Sequence, residues 1–459
     1  MQIGLNKAER IKWLAVLLVT AIILLVPEGE IYTSAFKWFL AITTFFILLV
    51  AFELMDLMPV AVLMPAAYIA AKLAPMEVVY SSWLMTLPLV VVGGYMFANT
   101  LDRIGFLRRL AFFSILKVGG SYYGMLFGVF IAGTAINAIT GGNAWIIMAA
   151  FTYGLCKSLK FGRSIDSAII MLVGAFASGS TCSFIYSPFF MSVILPAARA
   201  IDPDISVTWL QFFTQNIPLL FVILFVVWLT PKIFKPTQPM PSKEFFQEEY
   251  AKLGKMSTEE KIGMWASILL IVFMLTGDIH GIALDWGFIV IPWLLFLPGI
   301  KIAKQEDIRG IDLGMVFFVA SCISIGVVSG YLGVGKVIAD TLVPVLSSAS
   351  ESVVLGCIYL LSVGLNFLLT PLAIVAGFSE PVAQIASGLG MNPLAPLYAI
   401  IHGTDGILLP YEYMTYLVFY AFGFIRLADF IKIMGLKLII VTLVMFTIMP
   451  IWWGIVGII

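Results

Sequence analysis

The stretch Leu365–Gly423, LNFLLTPLAIVAGFSEPVAQIASGLGMNPLAPLYAIIHGTDGILLPYEYMTYLVFYAFG, decides how the chain is read. It is apolar enough to lie in a bilayer. Yet it carries Asn366, Glu380, His402, Asp405 and Glu412, and it is punctuated by Pro371, Pro381, Pro393, Pro396 and Pro410. A plain anchor has no use for either feature. Non-helical backbone at membrane depth survives only where protein buries it or where it lines a cavity. Ionisable residues there mark functional positions by default. The stretch therefore reads as half of a solute pathway.

The remaining sequence agrees with that environment. Of 459 residues, 61% are hydrophobic and 11% charged, with mean hydropathy +1.06, where soluble domains carry about 25% charged residues. Apolar runs of roughly 20 residues, the length of a membrane helix, recur from end to end. The formal net charge is zero, so nothing points to nucleic acid. Cys156, Cys182, Cys322 and Cys357 are scattered and read as small core residues. There is no Walker loop, no HExxH and no Cys/His cluster, which disfavours ATP-driven transport and metal catalysis.

Hydropathy and basic residues give one consistent topology. An N-terminal helix occupies 1–33, a first half 34–231, a cytoplasmic loop 232–262 and a second half 263–459. The N-terminus (Lys7, Arg10, Lys12) is expected in the cytoplasm and the C-terminus outside, with about eleven spans of an inner-membrane, multi-pass protein. The basic segment 103–117 is expected on the inner surface, and Arg426, Lys432 and Lys437 in the cytoplasm. Asp102 and Arg103 read as an interfacial pair, Glu53 and Asp56 as interfacial caps, and Glu380 as a residue at a helix N-terminus.

The halves repeat. Thr100–Ala111 parallels Ser329–Ala339, and each precedes an apolar segment interrupted by polar residues. The first candidate hairpin, about 119–150, has Asn137, Thr140, Gly141, Gly142 and Asn143 at its tip. The second, about 351–385, has Asn366, Thr370 and Pro371. Broken spans follow at about 167–198 and 396–424. The first hairpin enters from inside and the second from outside, which defines two inverted repeats with the binding site between them.

Broken helices expose N–H groups and a partial positive charge, an anion site without a buried cation. Asn137, Thr140, Gly141, Gly142, Asn143, Ser183, Ser187, Asn366, Thr370 and Pro371 are the expected substrate contacts. His402, Asp405 and Glu412 are the expected ion-coupling groups, their rival role being structural pairing or capping of the break. A coupling sodium ion, the one cofactor in prospect, is expected near Asn143 and Thr370.

Several motifs resemble the divalent anion:sodium symporters, the dicarboxylate, citrate and sulfate carriers. They are Val92-Gly-Gly-Tyr-Met, Ile104–Ala111, Asp204–Leu210 with Asn216-Ile-Pro218, Met391-Asn-Pro393, Leu408-Leu-Pro410 and Gly423–Phe430. The resemblance covers roughly 51–459. It implies a homodimer and an elevator-type motion of a domain holding the hairpins. It also implies uptake of dicarboxylates by sodium coupling or exchange. That family marks each hairpin tip with Ser-Asn-Thr, whereas this chain has Gly141-Gly142-Asn143 and Thr370-Pro371-Leu372.

The sequence thus reads as an all-α polytopic membrane protein. Its expected activity is secondary active transport of a small anion, a di- or tricarboxylate or inorganic oxyanion, coupled to Na⁺ or H⁺. The rival readings are a cation/proton antiporter or oxyanion exporter and, from another class, a polytopic membrane enzyme using His402, Asp405 and Glu412.

Overall fold

A computed structural model of the chain describes residues 7–29, 32–52, 54–118, 121–237 and 243–459. Glu53 and the first two residues of the expected first hairpin, 119 and 120, lie outside the described residues. Every regular element among the described residues is helical, as a chain this apolar requires: in lipid, backbone N–H and C=O groups must be satisfied within the segment. Several helix starts are written locally. Ser164 with Ser167, Thr208 with Gln211, and Ser257 with Glu260 form reciprocal capping boxes,.

Two runs of helices follow one order. The first comprises Leu87–Arg103, Phe106–Val118, the pair Tyr122–Ile139 and Trp145–Ser158, the broken span Ile165–Gly179 and Pro188–Arg199, and Trp209–Phe234. The second comprises Leu313–Tyr331, Val334–Leu346, the pair Glu351–Leu365 and Pro371–Gly388, the broken span Leu394–Thr404 and Met414–Ala421, and Leu427–Ile455. Both pairs extend further than the sequence suggested, to Ser158 and Gly388 in place of 150 and 385. The second broken span ends at Ala421 in place of 424.

Five segments among the described residues are long and apolar enough to cross a membrane: Tyr122–Ile139, Ile165–Arg199, Trp209–Phe234, Leu313–Tyr331 and Leu427–Ile455. Shorter apolar helices, such as Ser34–Val50 and Glu351–Leu365, accompany them. Burial separates these by role. An 18-residue apolar window of the broken span Ile165–Arg199 is 94% buried, whereas the corresponding window in Leu427–Ile455 is 33% buried. The interrupted helix therefore forms the centre, and the continuous one presents Ile439, Leu443 and Ile451 outward. In each run the paired helices pack on their broken span, and the two final helices pack on one another.

Polar contacts correct two expectations. Arg103 forms a two-pronged ion pair with Asp307 (Nε–Oδ1 2.8 Å, Nη2–Oδ2 2.8 Å) and not with its neighbour Asp102. Helix Phe106–Val118 keeps Arg108, Phe113 and Lys117 on an exposed face and turns Arg109 inward. Arg109 is 7% exposed, reaches Glu260 with Nε–Oε1 at 2.7 Å and donates to the Gly254 carbonyl at 3.0 Å. Its guanidinium fork explains the site: five fixed donors match a carboxylate and leave one arm for a carbonyl. Glu380 lies in the middle of Pro371–Gly388, not at its start. Its carboxylate lies against Gly335, in the first turn of Val334–Leu346, where a Cβ would meet Oε2 at 2.0 Å. It serves the N-terminus of another helix. Asp56 stands at the N-cap position of Leu57–Ala70 without a side-chain cap bond.

Candidate functional site

The first hairpin tip is a tight turn between Ile139 and Trp145. Gly141 and Gly142 adopt φ of 63° and 99°, which glycine alone accepts without strain,. Asn137 closes the turn: its Oδ1 accepts from Ala144 N at 3.4 Å and its carbonyl accepts from Gly142 N at 3.0 Å. Its Nδ2 donates to Thr181 Oγ1 at 2.6 Å, tying the tip to the first break. Thr140 and Asn143 complete the turn; Thr140 Oγ1 donates to the Ile136 carbonyl and Asn143 Nδ2 to the Thr140 carbonyl.

The first break begins with a single tight turn, Ser180–Ser183, and ends where Pro188 opens the next helix. Proline at the first helical position loses no hydrogen bond there. The second break runs from Asp405 to Tyr413. Glu412 holds it open as a loop, its Oε1 accepting from Leu409 N at 2.8 Å and its Oε2 from Leu408 N at 3.1 Å.

These interruptions enclose a cavity of about 90 Å³. Asn137, Gly141, Gly142 and Asn143 line it from the tip, Cys182, Tyr186 and Ser187 from the first break, and Tyr413, Met414 and Thr415 from the second. Tyr95, Trp145, Ser178 and Met315 are further wall residues, and no charged side chain is among the lining. Four helices begin at this wall, at Leu87, Trp145, Pro188 and Met414. Residues at or beside the start of each stand in the wall, and a helix N-terminus carries unpaired N–H groups and the positive end of the helix dipole. The arrangement suits an anion, with hydroxyl and amide groups to orient it.

Of the expected contacts, Thr140, Ser183, Asn366, Thr370 and Pro371 do not line this cavity. Asn366 Nδ2 instead donates to the Gly403 carbonyl at 2.9 Å, binding the second pair to the second break as Asn137 binds the first. Asn366 Oδ1 and Thr370 Oγ1 are buried without a hydrogen-bond partner. His402, Asp405 and Glu412 also lie outside the lining, each with its own partner. His402 Nε2 is 3.0 Å from Asn216 Oδ1.

Asp405 belongs to a cluster that the sequence did not reveal. Lys437, expected in the cytoplasm, is 1% exposed, and its Nζ lies 2.7 Å from Asp405 Oδ1. It also donates to Ser180 Oγ and to Tyr416 Oη, each at 2.9 Å. Tyr416 in turn donates to Asp405 Oδ1 at 2.7 Å. The helix explains the difference: it begins at Leu427, so Lys437 stands ten residues in, about 15 Å from its start. Tyr416 and Ser180 gave no signal beyond their polarity.

A wider vestibule of about 640 Å³ adjoins the cavity and shares Tyr186 with it. Thr86, Arg199, Thr208, Asp278 and Asp285 are among its walls. The helix Leu87–Arg103 leads from this end to the ion pairs of the opposite face, roughly 25 Å at 1.5 Å per residue.

Interrupted helices around a mid-protein cavity, with apolar helices outside, define a membrane transporter. The chain belongs to the family described as the sodium:sulfate symporter transmembrane region, whose model matches residues 7–459. It is similar to the L-tartrate/succinate antiporter of Escherichia coli K12, 21% identical over 370 residues covering 74% of this chain and 73% of that protein. The Shigella flexneri antiporter of the same name matches at 21% over the same coverage. Among solved structures, the Alcanivorax borkumensis YdaH transporter aligns with a TM-score of 0.56 at 14% identity, over 80% of this chain and 85% of that one. Neisseria gonorrhoeae MtrF, described with a class of antimetabolite efflux pumps, aligns at 0.52 and 13%, over 98% and 96%. These two likenesses are of fold. Family and relatives are transporters, so the membrane-enzyme reading falls.

Proposed function

We propose that this protein is a secondary carrier of small dicarboxylate-like anions. The substrate sits where the first hairpin tip meets the two breaks and is exposed to either side in turn. The carrying observation is that four helices start beside a cavity without charged walls. Such a site holds a dianion by dipoles and N–H donors, and it releases the anion without having to break a buried ion pair. The relatives' tartrate and succinate point to the same substrate class.

The two helix runs of matching order support a pair of inverted repeats, and the deep burial of the broken span supports an elevator motion. In it, the paired and broken helices travel together against the outer helices of a homodimer. Sodium fits the second hairpin: Asn366 Oδ1 and Thr370 Oγ1 are neutral oxygens, buried and unpartnered, the donor type that alkali cations take at broken helices. When bound there, Na⁺ would supply the driving gradient and neutralise part of the anion's charge.

Reconstitution tests the reading. Purified protein in liposomes is given separate Na⁺ and H⁺ gradients, and uptake of labelled succinate, citrate and sulfate is followed. Saturable uptake of one of these anions, raised by a gradient or by internal unlabelled anion, is expected. Non-saturating flux indifferent to both contradicts it.

A further inference from the structure

We propose that the Lys437 ammonium is a built-in counter-cation at the meeting point of the two broken spans, standing where a soluble monovalent cation would otherwise bind. Its three protons are all used, on Asp405 Oδ1 at 2.7 Å and on Ser180 Oγ and Tyr416 Oη at 2.9 Å. Those oxygens come from both halves of the protein. Ser180 opens the first break, Asp405 opens the second, and Tyr416 lies in the helix that follows it. The Phe176 ring, with its centroid 5.3 Å away, adds a polarisable face toward the charge,.

A shell of one carboxylate and two hydroxyls offers oxygen ligands to a small cation, at helix breaks of the kind where carriers hold coupling cations. A buried carboxylate must be matched by a cation or lose its charge. Lys437 supplies the match from within the chain, so nothing need be imported at this point and no cation is carried there. The site is distinct from the unpartnered oxygens of Asn366 and Thr370. It rests on the carrier reading only for its consequence on flux.

Removing the ammonium should therefore create a cation site. In Lys437→Ala, Asp405, Ser180 and Tyr416 face a void where Na⁺, Li⁺ or methylammonium fits and choline does not. Thermal unfolding of the purified protein is measured in chloride salts of these cations at equal ionic strength. The expected result is a saturable rise in unfolding temperature for Lys437→Ala with methylammonium or Na⁺, beyond any rise in the wild type. The double variant Asp405→Asn with Lys437→Ala should show no such increment. Lys437→Ser, which also leaves the space open, gives the same readout if the alanine variant does not fold. A single variant that responds no more than wild type overturns the proposal, as does a double variant that responds like the single one. Because unfolding needs no transport, cation-dependent stabilisation without flux in any variant upholds the cation site and overturns the carrier reading alone.

Discussion

The carboxylate of Asp405 lies 2.7 Å from the ammonium of Lys437, and both groups are buried, at 4% and 1% exposure. The pair joins the second break to the last helix, and through Ser180 it reaches the first break. Loss of one partner leaves a buried charge unmatched, whereas loss of both leaves none. Asp405→Asn and Lys437→Met should each destabilise the protein, by about 3–5 kcal/mol. The double variant should recover most of that loss. A double-mutant cycle on thermal unfolding in detergent checks it, and additive losses would show that the pair does not act as a unit.

Glu412 caps the loop of the second break with both carboxylate oxygens. In Glu412→Gln one of the two N–H groups must face an amide NH₂ in place of an acceptor. The expected cost is about 1–3 kcal/mol of stability. The ion dependence of uptake should match that of the wild type. A variant that folds well but no longer responds to a proton gradient would give Glu412 a proton-coupling role instead.

Gly141 turns the first tip at φ 63°, and a Cβ there would lie 2.8 Å from the Phe288 ring. Gly141→Ala combines a left-handed backbone with that clash, a strain of about 1–3 kcal/mol. Uptake should fall along with the unfolding temperature. Adding Phe288→Leu should restore part of both, which the same two assays measure.

Away from the spans, Asp307 connects the loop before Leu313–Tyr331 to the end of Leu87–Arg103. Burial pushes its carboxyl up, but the bonds from Arg103 and the Lys304 backbone outweigh this and hold it below its ordinary value. A group whose folded pKa is depressed stabilises above its unfolded value and loses that contribution as pH falls through the folded one. Stability should therefore drop below about pH 4, the unfolded carboxylate range. In Asp307→Asn that part of the acid sensitivity should disappear, as pH-dependent unfolding curves would show.

Much of this fold is legible because lipid leaves few choices. Prolines and glycines in apolar runs mark the interruptions at Gly141, Pro188, Pro371 and Pro410, and all four fall at turns or helix starts. Polar residues inside apolar runs gave Asn137 and Asn366, which tie each hairpin to its own break. Partnership was not legible. A lysine near the edge of an apolar run reads as an interfacial charge, and only the helix start at Leu427 moves Lys437 inward. Asp102 is adjacent to Arg103 in the chain, but a helix points neighbours apart, and the arginine finds Asp307. The cavity wall likewise drew on Tyr95, Tyr413 and Thr415, whose types carry no signal until three segments meet.

The place of the substrate is tested most directly by closing the cavity. Ala138 lines it beside the first tip, and Ala138→Phe would fill the space with a ring. Exchange uptake of whichever labelled anion the wild type carries is measured in proteoliposomes matched for folded protein. Loss of saturable uptake in Ala138→Phe, with an unfolding temperature near that of the wild type, is the predicted result. Uptake by Ala138→Phe with unchanged rate and half-saturation would contradict the placement of the anion among the four helix N-termini.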